Sequence, residues 1–232
     1  MFDLTPLEIE ALLLSLRVGI VSVIASLPFA LACAWLLARV NFPGKALFDS
    51  VIHLPLVLPP VAVGFALLVL FGRNGPIGAW LYATLGITFA FNWKGAALAS
   101  AVVAFPLMVR AMRLSLEAVD TGLEAAARTL GAGRWRVAAT VTLPLMAPGI
   151  LTGAILAFAR SIGEFGATIT FVSNIPGQTR TLPIALYTLT QVPGGDAAAW
   201  RLSILSVLVA LGALFGSEVL ARRVNARVRG RA

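Results

Sequence analysis

Residues 123–144 read LEAAARTLGAGRWRVAATVTLP. Helix formers and an ion-pair pattern fill its first half, two glycines interrupt it, and Arg134-Trp135-Arg136 leads toward an apolar run beginning at Leu143-Pro144. Such a segment suits the surface of a water-soluble protein, but the chain around it does not. Hydrophobic residues make up 59% of the 232 and charged residues 12%, and mean hydropathy is +0.92. Soluble domains carry roughly 25% charged residues, so this chain cannot cover itself in water. The composition gives one all-α integral membrane domain, 1–232, and makes 123–144 a loop held outside the bilayer.

A helix needs about 20 apolar residues to cross a bilayer. Five segments qualify: about 12–38, 51–71, 95–109, 145–172 and 202–220. The second carries Pro55, Pro59 and Pro60, which kink a membrane helix. The stretch Ile77–Phe91 is apolar but short, holds Gly78 and Gly86, and follows the turn signal Asn74-Gly75-Pro76. It reads as a half-buried or re-entrant piece. Orientation follows from basic residues. One side collects twelve: Arg39, Lys45, Arg110, Arg113, Arg128, Arg134, Arg136, Arg222, Arg223, Arg227, Arg229 and Arg231. The other collects four: Arg73, Lys94, Arg180 and Arg201. The richer side is cytoplasmic, which puts the N-terminus outside, the C-terminus inside and the 120–144 loop in the cytoplasm. The N-terminal MFDLTPLEIEALLLSL lacks the basic region of a signal peptide, so the first run reads as retained.

The net charge of +8 is the ordinary bias of cytoplasmic loops near anionic lipid. No nucleic-acid recognition motif accompanies it. Cys33 and His53 are single residues of their types, which excludes an intrachain disulfide and gives no catalytic or metal-binding constellation. No G-x-x-x-x-G-K-[ST] segment is present, so ATP chemistry would need another chain.

In the loop, Thr121 and Glu124 have capping-box spacing, and Glu124 precedes Arg128 by four residues. Ala125, Ala126 and Ala127 give a small, smooth face. Gly131 and Gly133 stop the helix, and a second short helix runs from Arg134 to about Thr142. Two readings fit: an amphipathic helix on lipid headgroups, or a handle for a partner protein.

The stretch resembles the EAA loop of ABC importer permeases: E-A-A, three residues, Gly, nine residues, I-x-L-P. Setting the glycine on Gly131 puts the alanines on Ala126 and Ala127, the isoleucine on Val141 and the last pair on Leu143 and Pro144. Ala125 stands at the glutamate position, with Glu124 one residue early. The runs from Ala38 to Gly78, Phe105 to Asp120 and Phe158 to Tyr187 are similar to the molybdate branch of these permeases, whose sulfate and tungstate relatives share much of the pattern. The resemblance implies a type I ABC importer permease fold in the bacterial cytoplasmic membrane. It implies that the loop, with Glu124, Ala126, Ala127, Gly131, Val141, Leu143 and Pro144, is a coupling helix docked on an ATPase. It also implies a homodimer, two cytoplasmic ATPases that bind ATP and Mg, and a periplasmic oxyanion-binding protein. No cofactor falls to this chain itself.

Within the fourth span, Arg160, Ser161 and Glu164 interrupt the apolar run. A charge at membrane depth costs roughly 2.5–3.5 kcal/mol on insertion scales, so such residues face a partner or a water-filled cavity. Arg160 and Glu164 can pair at i, i+4, either as a structural salt bridge or as lining of an anion pathway, with Ser161 as a donor. Five spans are few for enclosing a pathway, which favours a two-fold dimer. An autonomous channel or secondary transporter would predict matched internal repeats, and none is visible.

Overall fold

The computed structural model describes residues 4–229, with side chains for 4–216 and Val219. The side chains of Glu218, Arg222, Arg223, Arg227 and Arg229, and all of Arg231, lie outside the described residues. All regular secondary structure among the described residues is helical. The first helix, α1, spans Pro6–Arg39 and is capped by a reciprocal box: the Glu8 amide donates to Thr5 Oγ1 and the Thr5 amide to Glu8 Oε2 (2.7 Å). At about 1.5 Å per residue its 34 residues exceed the roughly 30 Å of hydrocarbon. One face buries small residues at helical spacing, among them Ala11, Ser15, Val18, Ser22, Ser26, Ala30 and Ala34. The other leaves Ile20, Ile24 and Phe29 exposed, which in a membrane chain is the ordinary state of an outer surface.

The second expected span is not one kinked helix. It consists of α2, Lys45–Val57, and α3, Pro60–Phe71, bent by 114° at Leu58-Pro59. The cause is local. A residue before proline is pushed out of helical geometry, and two prolines in succession push out Leu58 (ψ 144°) and Pro59 (ψ 133°) together. Pro60 then opens α3, where its missing N–H costs nothing. The next helix, α4, spans Pro76–Leu85; its 10 residues reach about 15 Å, half the hydrocarbon thickness. Gly86, at φ 65°, ends it.

At the centre lies α5, Trp93–Glu117, whose Asn92 cap accepts from the amides of Lys94 and Gly95. It continues well past the expected boundary at 109. A short helix, α6, follows at Thr121–Thr129. Then α7 (Arg134–Val137), a π turn (Ala138–Thr142) and α8 (Leu143–Ile162) form one continuous 29-residue helix. The separate helix expected to stop before Pro144 is therefore the root of the fourth span. That span in turn ends early, at Gly163, and α9 resumes at Gly166–Val172. A short helix, α10, Leu182–Thr190, leads to α11, Asp196–Arg229.

Close helix approach uses missing side chains. A Cβ on Gly149 of α8 would land on Ser115 of α5, and one on Gly153 would lie 3.1 Å from the Met108 carbonyl oxygen. This is small-residue packing, the main source of helix affinity where the solvent is itself apolar. Met108, Met112, Leu116 and Met146 fill the core between α1, α5 and α8. Val63, Leu67, Ala167 and Phe171 fill a second core around α3 and α9. Polar staples tie α1 to α10 and α11: the Leu182 amide donates to Ser15 Oγ (2.7 Å), and Arg201 Nη2 pairs with Glu8 Oε1 (3.0 Å).

Replacing Gly149 or Gly64 with valine is expected to destabilise the fold by about 1–3 kcal/mol through overpacking. The midpoint of thermal unfolding in detergent micelles reads this. An unchanged midpoint in both variants would mean that these helices are not seated on glycine.

Candidate functional site

Two spans are broken, and their breaks meet. A Cβ on Gly166 of α9 would lie 2.9 Å from Pro60 Cβ and 3.3 Å from the Val61 nitrogen. One on Gly64 of α3 would lie 2.5 Å from the Ala167 carbonyl oxygen. Irregular backbone survives at membrane depth only where protein buries it or a cavity hydrates it. Here the first turns of α3 and α9, just after the two breaks, pack on each other, while Leu58, Pro59 and Gly163 stay exposed.

The charged pair of the fourth span sits at this junction. Arg160 Nη1 lies 2.8 Å from Glu164 Oε2. The other oxygen, Oε1, accepts from the Ala167 amide (2.8 Å), so the glutamate also satisfies a donor at the start of α9. Glu164 is 2% exposed, whereas the Arg160 side chain is 32% exposed. Arg160 and Glu164 are thus brought together as i, i+4 spacing allows. Ser161 turns away to α1, where its hydroxyl lies 3.1 Å from that of Ser22. Chemically the junction offers one partly accessible cation whose charge is balanced from the buried side. Among the described residues no group of His, Cys, Asp and Glu could hold a metal ion.

The loop is built differently from its capping-box reading. Asp120, not Thr121, caps α6 and accepts from the Gly122 amide (2.7 Å). Both residue types are good caps, and the extended backbone falls one residue earlier. Glu124 is freed from capping and turns inward, 8% exposed. Its Oε1 accepts from Arg39 Nη2 at the end of α1 (3.1 Å) and from Thr142 Oγ1 at the end of the π turn (2.8 Å). Its Oε2 lies 3.5 Å from Arg128. Gly131, at φ 84°, turns the chain after α6, and the Ala132 amide closes back on the Ala127 carbonyl (3.1 Å). Ala126 and Gly131 are exposed, Ala127 half-buried. Val141 lies in the π turn, and Leu143 and Pro144 open α8. Beside the alanine face stand Leu123, Leu130 and Trp135, the last two 89% and 81% exposed. Apolar residues this exposed on a polar loop mark a contact surface.

Sequence reasoning missed Arg39 and Thr142 as partners of Glu124, since nothing in local spacing links them. It also missed a brace between α2 and α5. Arg113 pairs with Asp49 (3.1 Å) and Glu117 (2.8 Å), and His53 Nδ1 lies 3.1 Å from Asp49 Oδ1. With Arg110 and Leu114 these residues line an open cavity of about 320 Å³.

The chain is similar to known proteins. The family model described as "Binding-protein-dependent transport system inner membrane component" matches residues 26–229. The molybdenum transport system permease protein ModB of Escherichia coli (strain K12) is 65% identical over 219 residues, covering 94% of this chain and 96% of that one. The sulfate transport system permease protein CysW of Synechocystis sp. is 39% identical over 219 residues, covering 93% and 78%. Among solved structures, a chain of the MetNI methionine ABC transporter, in inward-facing conformations, superposes with a TM-score of 0.74 at 16% identity. It covers 94% of this chain and 96% of that one, a likeness of fold.

Removing one partner of the junction pair should be worse than removing both. Arg160→Met alone leaves a buried carboxylate uncompensated and is expected to destabilise by about 3–5 kcal/mol. Adding Glu164→Gln should recover much of that loss. Thermal unfolding of the purified protein reads both, and equal losses would show that the two charges are not coupled.

Proposed function

The chain belongs to the family of binding-protein-dependent transport system inner membrane components, and we propose that it is the permease subunit of an ABC importer that brings molybdate into the cell. The observation that carries this is the 65% identity to a molybdenum permease over 94% of the chain, against 39% to a sulfate permease. The chain is a multi-pass inner-membrane subunit and a transport protein, not an enzyme. ATP and Mg are bound by a separate ATPase, in keeping with the missing P-loop. The α6 loop is its docking handle: the small face at Ala126 and the exposed Leu130 and Trp135 suit a groove on a partner. Two ATPases serve two copies of this chain. The pathway runs on the two-fold axis between the copies, a reading supported by exposed Val61, Phe65 and Val69 on α3. A periplasmic binding protein delivers the oxyanion to the outer segments 72–93 and 173–200. The N-terminus lies outside and the C-terminus in the cytoplasm.

Selectivity resides in the binding protein. In the permease, Arg160 lowers the energy of a dianion at membrane depth, and Glu164 keeps the net field low enough for release. A tight site here would slow transport, because an ion held midway must be released before the next can pass.

Two measurements test the reading. Cells lacking their own high-affinity system, given this chain with its neighbouring components, are expected to take up labelled molybdate saturably. Excess tungstate should compete and excess sulfate should not; block by sulfate would move the substrate to the sulfate branch. Ala126→Glu, and Gly131→Val, which strains a positive φ, should each lower uptake at least about tenfold. A desolvated unpaired charge at an interface costs about 2–5 kcal/mol. Normal uptake by both variants, at normal expression, would remove the docking assignment.

A further inference from the structure

The inward turn of Glu124 joins three elements that are far apart in sequence. Its carboxylate is shared by Arg39 at the end of α1 and Thr142 at the end of the π turn, while its own backbone belongs to α6. Thr142 is 8% exposed. A threonine inside a helix ordinarily turns its hydroxyl onto a carbonyl of the preceding turn. Thr140 does so, donating to the Arg136 carbonyl oxygen (2.6 Å). Thr142 instead gives its hydroxyl to Glu124 (2.8 Å). The covalent route from α6 to the fourth span is compliant by comparison, running through Gly131, Ala132 and Gly133, with Gly131 at φ 84°. The span also begins in a π turn, where the Leu143 amide bonds back to the Ala138 carbonyl. Such turns are rare and hold one residue more than an α-helical turn would. A push on α6 that travelled only through the glycines would be absorbed there.

We propose that Glu124 is a positioning residue whose bond to Thr142, braced by Arg39, is the stiff link that carries movement of the α6 loop into the fourth span and so to the Arg160–Glu164 junction. This rests on the reading of the loop as the ATPase docking handle. It gives Glu124 a different task from the docking face: the side chain faces the membrane domain, and its partners are this chain's own residues. A charged acceptor makes the link stronger than a neutral hydrogen bond of the same length.

The test uses the complete transporter, with ATPase and binding protein, reconstituted in proteoliposomes. Molybdate imported and ATP hydrolysed are measured together. Thr142→Val keeps the shape and removes the donor; Thr142→Ser keeps the donor. Thr142→Val is expected to retain its ATPase through purification and to import about tenfold less molybdate per ATP hydrolysed, the order expected for loss of a charge-assisted bond. Thr142→Ser is expected to restore the wild-type ratio. An unchanged ratio in Thr142→Val overturns the link, as does an equal fall in Thr142→Ser. Loss of the ATPase from the Thr142→Val complex also overturns it, because the bond would then only shape the docking face. The docking reading fails separately: Ala126→Glu would keep the ATPase bound and import normally.

Discussion

A backbone amide in hydrocarbon has no water to bond, so a membrane chain can be irregular only where protein supplies the partners. The rest of this structure depends on that constraint. Two spans are interrupted, one at Leu58-Pro59 and one at Gly163–Phe165, and the helices that resume after them, at Pro60 and Gly166, pack on each other. Glycines at 64 and 166 let the backbones approach closely enough to do so. The buried carboxylate of Glu164 takes one of the donors left over, the Ala167 amide. The same arrangement brings non-helical backbone and the partly exposed Arg160 to one place.

Much of this was legible in the sequence, and the gaps have physical causes. Hydropathy marks the spans because the bilayer imposes a length and a polarity on them, so the bulk of the architecture can be read directly. Pro59 and Pro60 announce a disturbance, yet a kink and a 114° turn have the same signature. The size of the bend appears only in the backbone geometry of Leu58 and Pro59. The break at Gly163 is hidden, because the apolar run continues through Ala167, Ile169 and Phe171. The helix that resumes at Gly166 packs on Pro60, a partner that the order of residues does not show.

The loop shows the same limit. Spacing located α6, Gly131 and the Glu124–Arg128 pair, all of them local. It misplaced the cap by one residue, since Asp120 and Thr121 are adjacent and both suitable. It left Glu124 without direction, because Arg39 and Thr142 reach it through tertiary packing alone. Short-range pairs are written in the order of residues. Long-range partners emerge only when α1, α6 and the root of α8 have been brought together.

The seating of Pro60 against Gly166 has a consequence for how this chain can change over generations. The two positions lie on different spans, yet they occupy one volume. A side chain gained at 166 would crowd the Cβ of residue 60 and the Val61 backbone nitrogen, so the other span holds position 166 to glycine. The two interrupted spans are thereby tied into a single inherited unit.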